Sequence, residues 1–171
     1  MSNVLIGIIG VILFIGLALA GALILGDDFK SSQADTLAAR YGTSLSQMEA
    51  ATAMMKLKTG RTPLVGDFEI ELIPRFIKLR PNLGTGVFAG WRAFDNSGTP
   101  VPPTYTAVVT PPTETNLAAC LSYAQQVGQV SATSSTVPTG AVPPAAITGC
   151  FQLTQAWGVD GAGAVFFYKR I

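Results

Sequence analysis

The chain has 171 residues, enough for one domain of ordinary size plus an anchor. Hydrophobic residues make up 49% and charged residues 12%, the net charge is +1, histidine is absent, and Cys120 and Cys150 are the only cysteines. This composition excludes Ser-His and Cys-His nucleophiles, a tetrahedral zinc site and a CxxC redox pair.

The apolar excess is concentrated at the start. Val4 to Leu25 is an unbroken apolar run of 22 residues. As a helix it would be about 33 Å long, the thickness of a bilayer's hydrocarbon core. No polar face exists at any period, so a membrane anchor or the core of a helical assembly is expected over 1–28. Met1-Ser2-Asn3 carries no Lys or Arg, and the run exceeds a signal peptide's apolar core, so the segment is expected to stay in the working protein. Small residues dot the run: Gly16, Ala18, Ala20, Ala22 and Gly26 form small-xxx-small pairs (16/20, 18/22, 22/26). Such spacing lets helix backbones approach closely in apolar surroundings.

From 29 to 60 the pattern becomes amphipathic. Leu37, Tyr41, Leu45, Met48, Ala51 and Met55 recur at spacings of 4, 4, 3, 3 and 4, which predicts one helical stripe facing a sheet. Gly42 predicts a kink, or a break with Ser44 and Gln47 as a new capping box. Gly60 and Pro63 end the helix.

The remainder, 61–171, reads as an α+β domain. Asp67 to Ile73 alternates polar and apolar, the period of a half-buried strand. Arg75–Arg80 is a second strand-like stretch, and 86–94 a third. Tyr105–Thr110 sits between Pro102-Pro103 and Pro111-Pro112 and is expected as an edge strand. Thr113 or Thr115 can cap a helix over 114–127 that turns Cys120 inward. The low-complexity stretch 131–146 predicts a surface loop, and Ala164–Arg170 a central strand. Cys120 and Cys150 read either as a disulfide in an exported domain or as two free buried thiols.

No segment supplies a catalytic, cofactor or metal site. The pair Glu69 and Glu71 is expected on the solvent face of a strand, and Asp27-Asp28 as an interfacial boundary. Seven cations (Lys56, Lys58, Arg61, Arg75, Lys78, Arg80 and Arg92) fall between 56 and 92. They read either as solubilising charge or as a weak contact for nucleic acid or an anionic surface. Lys30 and Arg40 after the anchor place the C-terminal domain in the cytoplasm by the positive-inside rule, whereas a disulfide requires export.

The arrangement of Val4–Leu25, its amphipathic continuation to Lys58 and the Cys120/Cys150 pair resembles the type IV pilins and pseudopilins, especially the type IVb branch. That resemblance implies a long N-terminal hydrophobic helix packed on an antiparallel sheet domain with one C-terminal disulfide. It implies a subunit that waits in the inner membrane, meets a pilus assembly machinery and joins a helical homopolymer, an extracellular fimbrium that displays its C-terminal domain for adhesion or contact. The family usually carries a glutamate at the fifth position; here Leu5 stands there, and the first acid is Asp27. The other reading is a single-pass membrane protein that does not polymerise, such as a virion membrane component, with an exported binding or assembly domain.

Overall fold

In the computed structural model, residues 2–64, 68–78, 83, 90–94, 105–140, 146–156 and 160–171 are described, with only the backbone described for 2–6, 22–25, 27, 68 and 90–94. The first element, α1 (Ser2–Thr59), contains no proline and is rich in Ala, Leu and Met, all strong helix formers. It ends where Gly60 adopts a left-handed φ of 73° and its N–H donates to the Lys56 carbonyl at 2.9 Å. Lys56 and Lys58 lie in the last turn, where cations suit the helix dipole. The helix is uninterrupted at Gly42, and Ser44 is buried in mid-helix rather than capping a new start.

The chain forms two compact units, Met1–Gln33 and Ala34–Ile171. In the first, every described large apolar side chain from Ile8 to Leu19 is exposed. Of the expected span over 4–25, side chains are described for 7–21 only, and among the described residues no helix is long and apolar enough to cross a membrane.

The second unit is mixed α+β. It holds the end of α1, a single-turn helix α2 (Phe68–Leu72), β1 (Gly90–Phe94), β2 (Tyr105–Thr110), α3 (Glu114–Gln126), β3 (Thr139–Gly140), β4 (Thr148–Leu153) and β5 (Val165–Arg170). The sheet order is β1-β2-β5-β4-β3, antiparallel except for the two-residue parallel pairing of β3 with β4. β5 lies at the centre, as its apolar Val165-Phe166-Phe167-Tyr168 predicts.

One face of the sheet presents Val108, Cys150, Val165 and Phe167. Against them pack Tyr41, Leu45, Met48, Ala51 and Met55 of α1 and Ala119, Cys120 and Tyr123 of α3. Leu37 is partly buried at the edge of this cluster. Phe167 is the junction, with ring centroids 4.5 Å from Tyr41 and 5.8 Å from Tyr123. At Gly42 a side chain of α3 comes close: a Cβ there would lie 3.0 Å from Tyr123 Cε2. The glycine thus serves close approach between helices instead of breaking one. The opposite face buries Tyr105, Ala107, Val109, Phe151, Leu153, Phe166 and Tyr168 in a second cluster. With both faces covered, the strands read as continuous apolar runs rather than alternations.

α3 begins as predicted, with the Thr113 hydroxyl accepting the Asn116 N–H at 3.2 Å. Asn116 is also buried, accepting from the Tyr41 hydroxyl at 3.2 Å and donating to the Pro111 carbonyl at 3.0 Å. Past the helix, Gly128 at φ 72° turns the chain so that Gln129 can reach β4. Its side-chain oxygen accepts the Cys150 N–H at 2.6 Å. Further along the same flank, Gln152 N–H donates to Pro138 and Thr154 N–H to Gly140, at 2.8 and 3.0 Å.

Several sequence expectations change. The strand expected over 67–73 is the helix α2 within Phe68–Leu72, followed by a turn at 73–76 where the second strand-like stretch begins. Alternation over so few residues does not separate the two periods, and Glu69 and Glu71 favour helix over strand. Residues 79–80 lie outside the described residues, as do 86–89 ahead of β1. β2 is interior, between β1 and β5, and not an edge strand. Pro111-Pro112 follow its last ladder position and so interrupt no pairing. β4 is a strand that the sequence pattern does not announce; Gly149, its second residue, weakens the β signal. Gly149 has a specific reason to lack a side chain, since a Cβ there would collide with the Gln129 carboxamide and the Tyr168 hydroxyl.

Candidate interaction surfaces

The first candidate surface lies on α1 within Met1–Gln33. Phe14 and Leu17 are each 73% exposed, and Ile8, Ile9, Val11, Ile12, Leu13, Ile15 and Leu19 are exposed around them. Ala18, Ala20 and Gly26 are exposed, and nothing lies within 4 Å of a Cβ built at Gly16 or Gly26. The Ala22 side chain lies outside the described residues. A surface this apolar is stable only against lipid or other protein, and its small residues leave room for a neighbouring backbone.

The second surface is built at the C-terminal end of α1. Arg61, just past the helix, pairs with Glu71 of α2 at 2.7 Å, and Glu71 also accepts the Leu64 N–H at 3.3 Å. The Arg61 guanidinium holds the Glu71 carboxyl below the usual carboxylate range. Beside this pair lies a groove of about 300 Å³ lined by Met55, Arg61, Ile70, Ile73, Arg75 and Phe76 among others. The Lys58 ammonium lies 5.9 Å from the Phe76 ring centroid.

Arg61 and Arg75 line this groove, with Lys58 at Phe76, while Lys56 lines a separate groove with Glu49, Thr52, Arg170 and Ile171. Lys78 is exposed; Arg80 and the side chain of Arg92 lie outside the described residues. Glu69 and Glu71 sit on a helix and not a strand face, and Glu71 is engaged by Arg61. Among the described residues no three potential metal ligands come together.

Cys120 and Cys150 form a disulfide with a Cα separation of 5.4 Å, joining α3 to β4, and both are fully buried. On the other face of the sheet, Tyr168 is buried with no hydrogen-bond partner for its hydroxyl among the described residues. Burial, together with the neighbouring Tyr105 and Tyr123, pushes its pKa up to about 12. The folded state therefore holds this proton more tightly than the unfolded chain. The resulting stability is complete below about pH 10 and is lost as pH rises toward 12, at roughly 1.4 kcal/mol per pH unit. Tyr168→Phe is expected to leave stability at pH 7 unchanged or slightly higher and to flatten this alkaline loss; urea titrations at pH 7 and pH 11 would measure both effects.

Gln129, Asn116 and Ile70 were not singled out by the sequence. Gln129 and Asn116 matter through partners distant in the chain, Cys150 and Tyr41, and Ile70 through the groove it lines, and polar or apolar identity alone carries no sign of that. Comparison of the chain with protein-family models, with curated proteins and with solved structures finds no match.

Proposed function

We propose that this chain is a structural subunit of a type IV pilus-like surface filament, held in the inner membrane before assembly and polymerising through residues 4–55. The observation that carries the reading is the unbroken exposed apolar surface from Ile8 to Leu19, interleaved with glycines that have open space around them. Such a helix needs lipid first and other helices afterwards. A folded unit tied by a buried disulfide suits display outside the cell. Its role is one of packing and display, with no catalysis.

The test is electron microscopy and immunodetection on sheared surface fractions. Fibres containing the chain support the reading, and its retention in the membrane fraction alone refutes it. Gly16→Leu and Ala20→Leu are each expected to reduce recovery in fibres by about tenfold while leaving membrane insertion intact, a coupling on the order of 1.4 kcal/mol. Normal fibre yield in both would show that close helix approach at these positions is unnecessary.

The second reading, a single-pass membrane protein that does not polymerise, draws on the same exposed apolar surface, which lipid alone can cover. Under it the chain fractionates with membranes or lipid-containing particles and never with fibres.

A further inference from the structure

The groove at the end of α1 combines features that rarely coexist on an idle surface. Its walls are apolar, from Met55, Ile70, Ile73 and Phe76, and Ile70 stays 77% exposed. Among the described residues lining it, the charged groups are Arg61, Arg75 and the carboxylate of Glu71, which Arg61 already holds, and Lys58 lies beside it at Phe76. The groove therefore favours an occupant that presents an apolar side chain beside a negative charge. Leu57, 86% exposed on the adjacent turn, extends the apolar area.

The same chain carries the complement elsewhere. Phe29 is 64% exposed on α1, beyond the apolar run, and its neighbour Asp28 is exposed beside it. An aromatic held in water next to a carboxylate is what the groove lacks, and about 300 Å³ is room for a single aromatic side chain.

We propose that the groove receives the Asp28–Phe29 pair on α1 of a second copy of this chain, with the Phe29 ring against Ile70, Ile73 and Phe76 and the Asp28 carboxylate facing Lys58 and Arg75. Two different patches meet in this contact, so it is heterologous. Each copy that fills a neighbour's groove keeps its own groove open, and the contact repeats without closing on a dimer. This inference rests on the filament reading and deepens it by naming a contact that would set the register between copies.

The test places benzoylphenylalanine at Phe29 of the full chain, mixes isotopically heavy and light copies, and irradiates both detergent-dispersed protein and the sheared fibre fraction. Heavy–light cross-linked peptides joining position 29 to 68–78 are expected. Asp28→Lys, and separately Lys58→Glu with Arg75→Glu, should each lower the yield at least about fivefold, and combining all three reversals should restore most of it. Restoration also guards against a variant that merely misfolds.

Cross-links from 29 to other parts of the chain or to another protein, or no restoration by the charge swap, would overturn the contact. If such off-site cross-links come from genuine fibres, the contact falls and the filament reading survives. If the 29-to-68–78 link forms in detergent but the chain is never found in fibres, the contact stands and the filament reading falls.

Discussion

Replacing Cys120 and Cys150 together by alanine is expected to lower the unfolding free energy of the Ala34–Ile171 unit by about 3–4 kcal/mol. The two residues are 30 apart in sequence, and a loop of that size removes about this much chain entropy from the unfolded ensemble. Alanine is the right probe because both sulfurs are fully buried. Serine would add two buried hydroxyls, each costing a further 1–3 kcal/mol or so if unsatisfied. The order wild type, double alanine, double serine is therefore expected in urea unfolding followed by tyrosine and tryptophan fluorescence. The alanine pair should move the midpoint down by roughly 2 M. A midpoint unmoved in the double alanine chain would mean that α3 and β4 are held together without the bridge. Burial also predicts that reductant alone, without denaturant, leaves the disulfide intact, as alkylation and mass mapping would show.

The second large effect is expected at Phe167. Phe167→Ala should cost about 3–5 kcal/mol, the range for deleting a fully buried phenylalanine. What sets this position apart is its neighbours: Tyr41 from α1 and Tyr123 from α3 both meet its ring, and Val108 and Cys150 flank it in register on the adjoining strands. A void there loosens both helices from the sheet at once. Near-ultraviolet circular dichroism from the tyrosines should collapse along with the urea midpoint, whereas Phe167→Leu should lose only about 1–1.5 kcal/mol and keep the signal. Equal losses for the two substitutions would show that hydrophobic volume alone matters there.

What could be read from the sequence follows from how one-sided each segment's surroundings are. The stripe from Leu37 to Met55 was legible because that part of α1 has one buried face and one wet face, which writes a 3.6-residue period. The Thr113 cap was legible because capping is local chemistry, and the cysteines because a chain with two thiols and no histidine has few uses for them. The strands were harder. β5 and β2 are covered on both faces, so only their apolar density marked them, and the prolines beside β2 suggested an edge that the sheet order does not give. β4 lost its signal to Gly149, whose missing side chain makes room for Gln129 and Tyr168. Residues 67–73 offered a short alternation that fits one turn of helix as well as a strand; Glu69 and Glu71 favour the helix, and Glu71 also reaches Arg61, ten residues earlier. The groove lies beside that same pairing and was invisible for the same reason. Gly42 marked a real event on α1, but the event is contact with Tyr123.

The amide of Cys150 is taken by Gln129, and those of Gln152 and Thr154 by Pro138 and Gly140. On that flank, the main chain of β4 has little left to offer a stray extended peptide. Molecules crowded at high local concentration would not zip together there into cross-β ladders, the usual hazard of an open sheet margin. The protection comes from a side chain and a short parallel bridge inside the disulfide-closed loop, so a Gln129→Ala chain should be the first to show slow, thioflavin-positive aggregation.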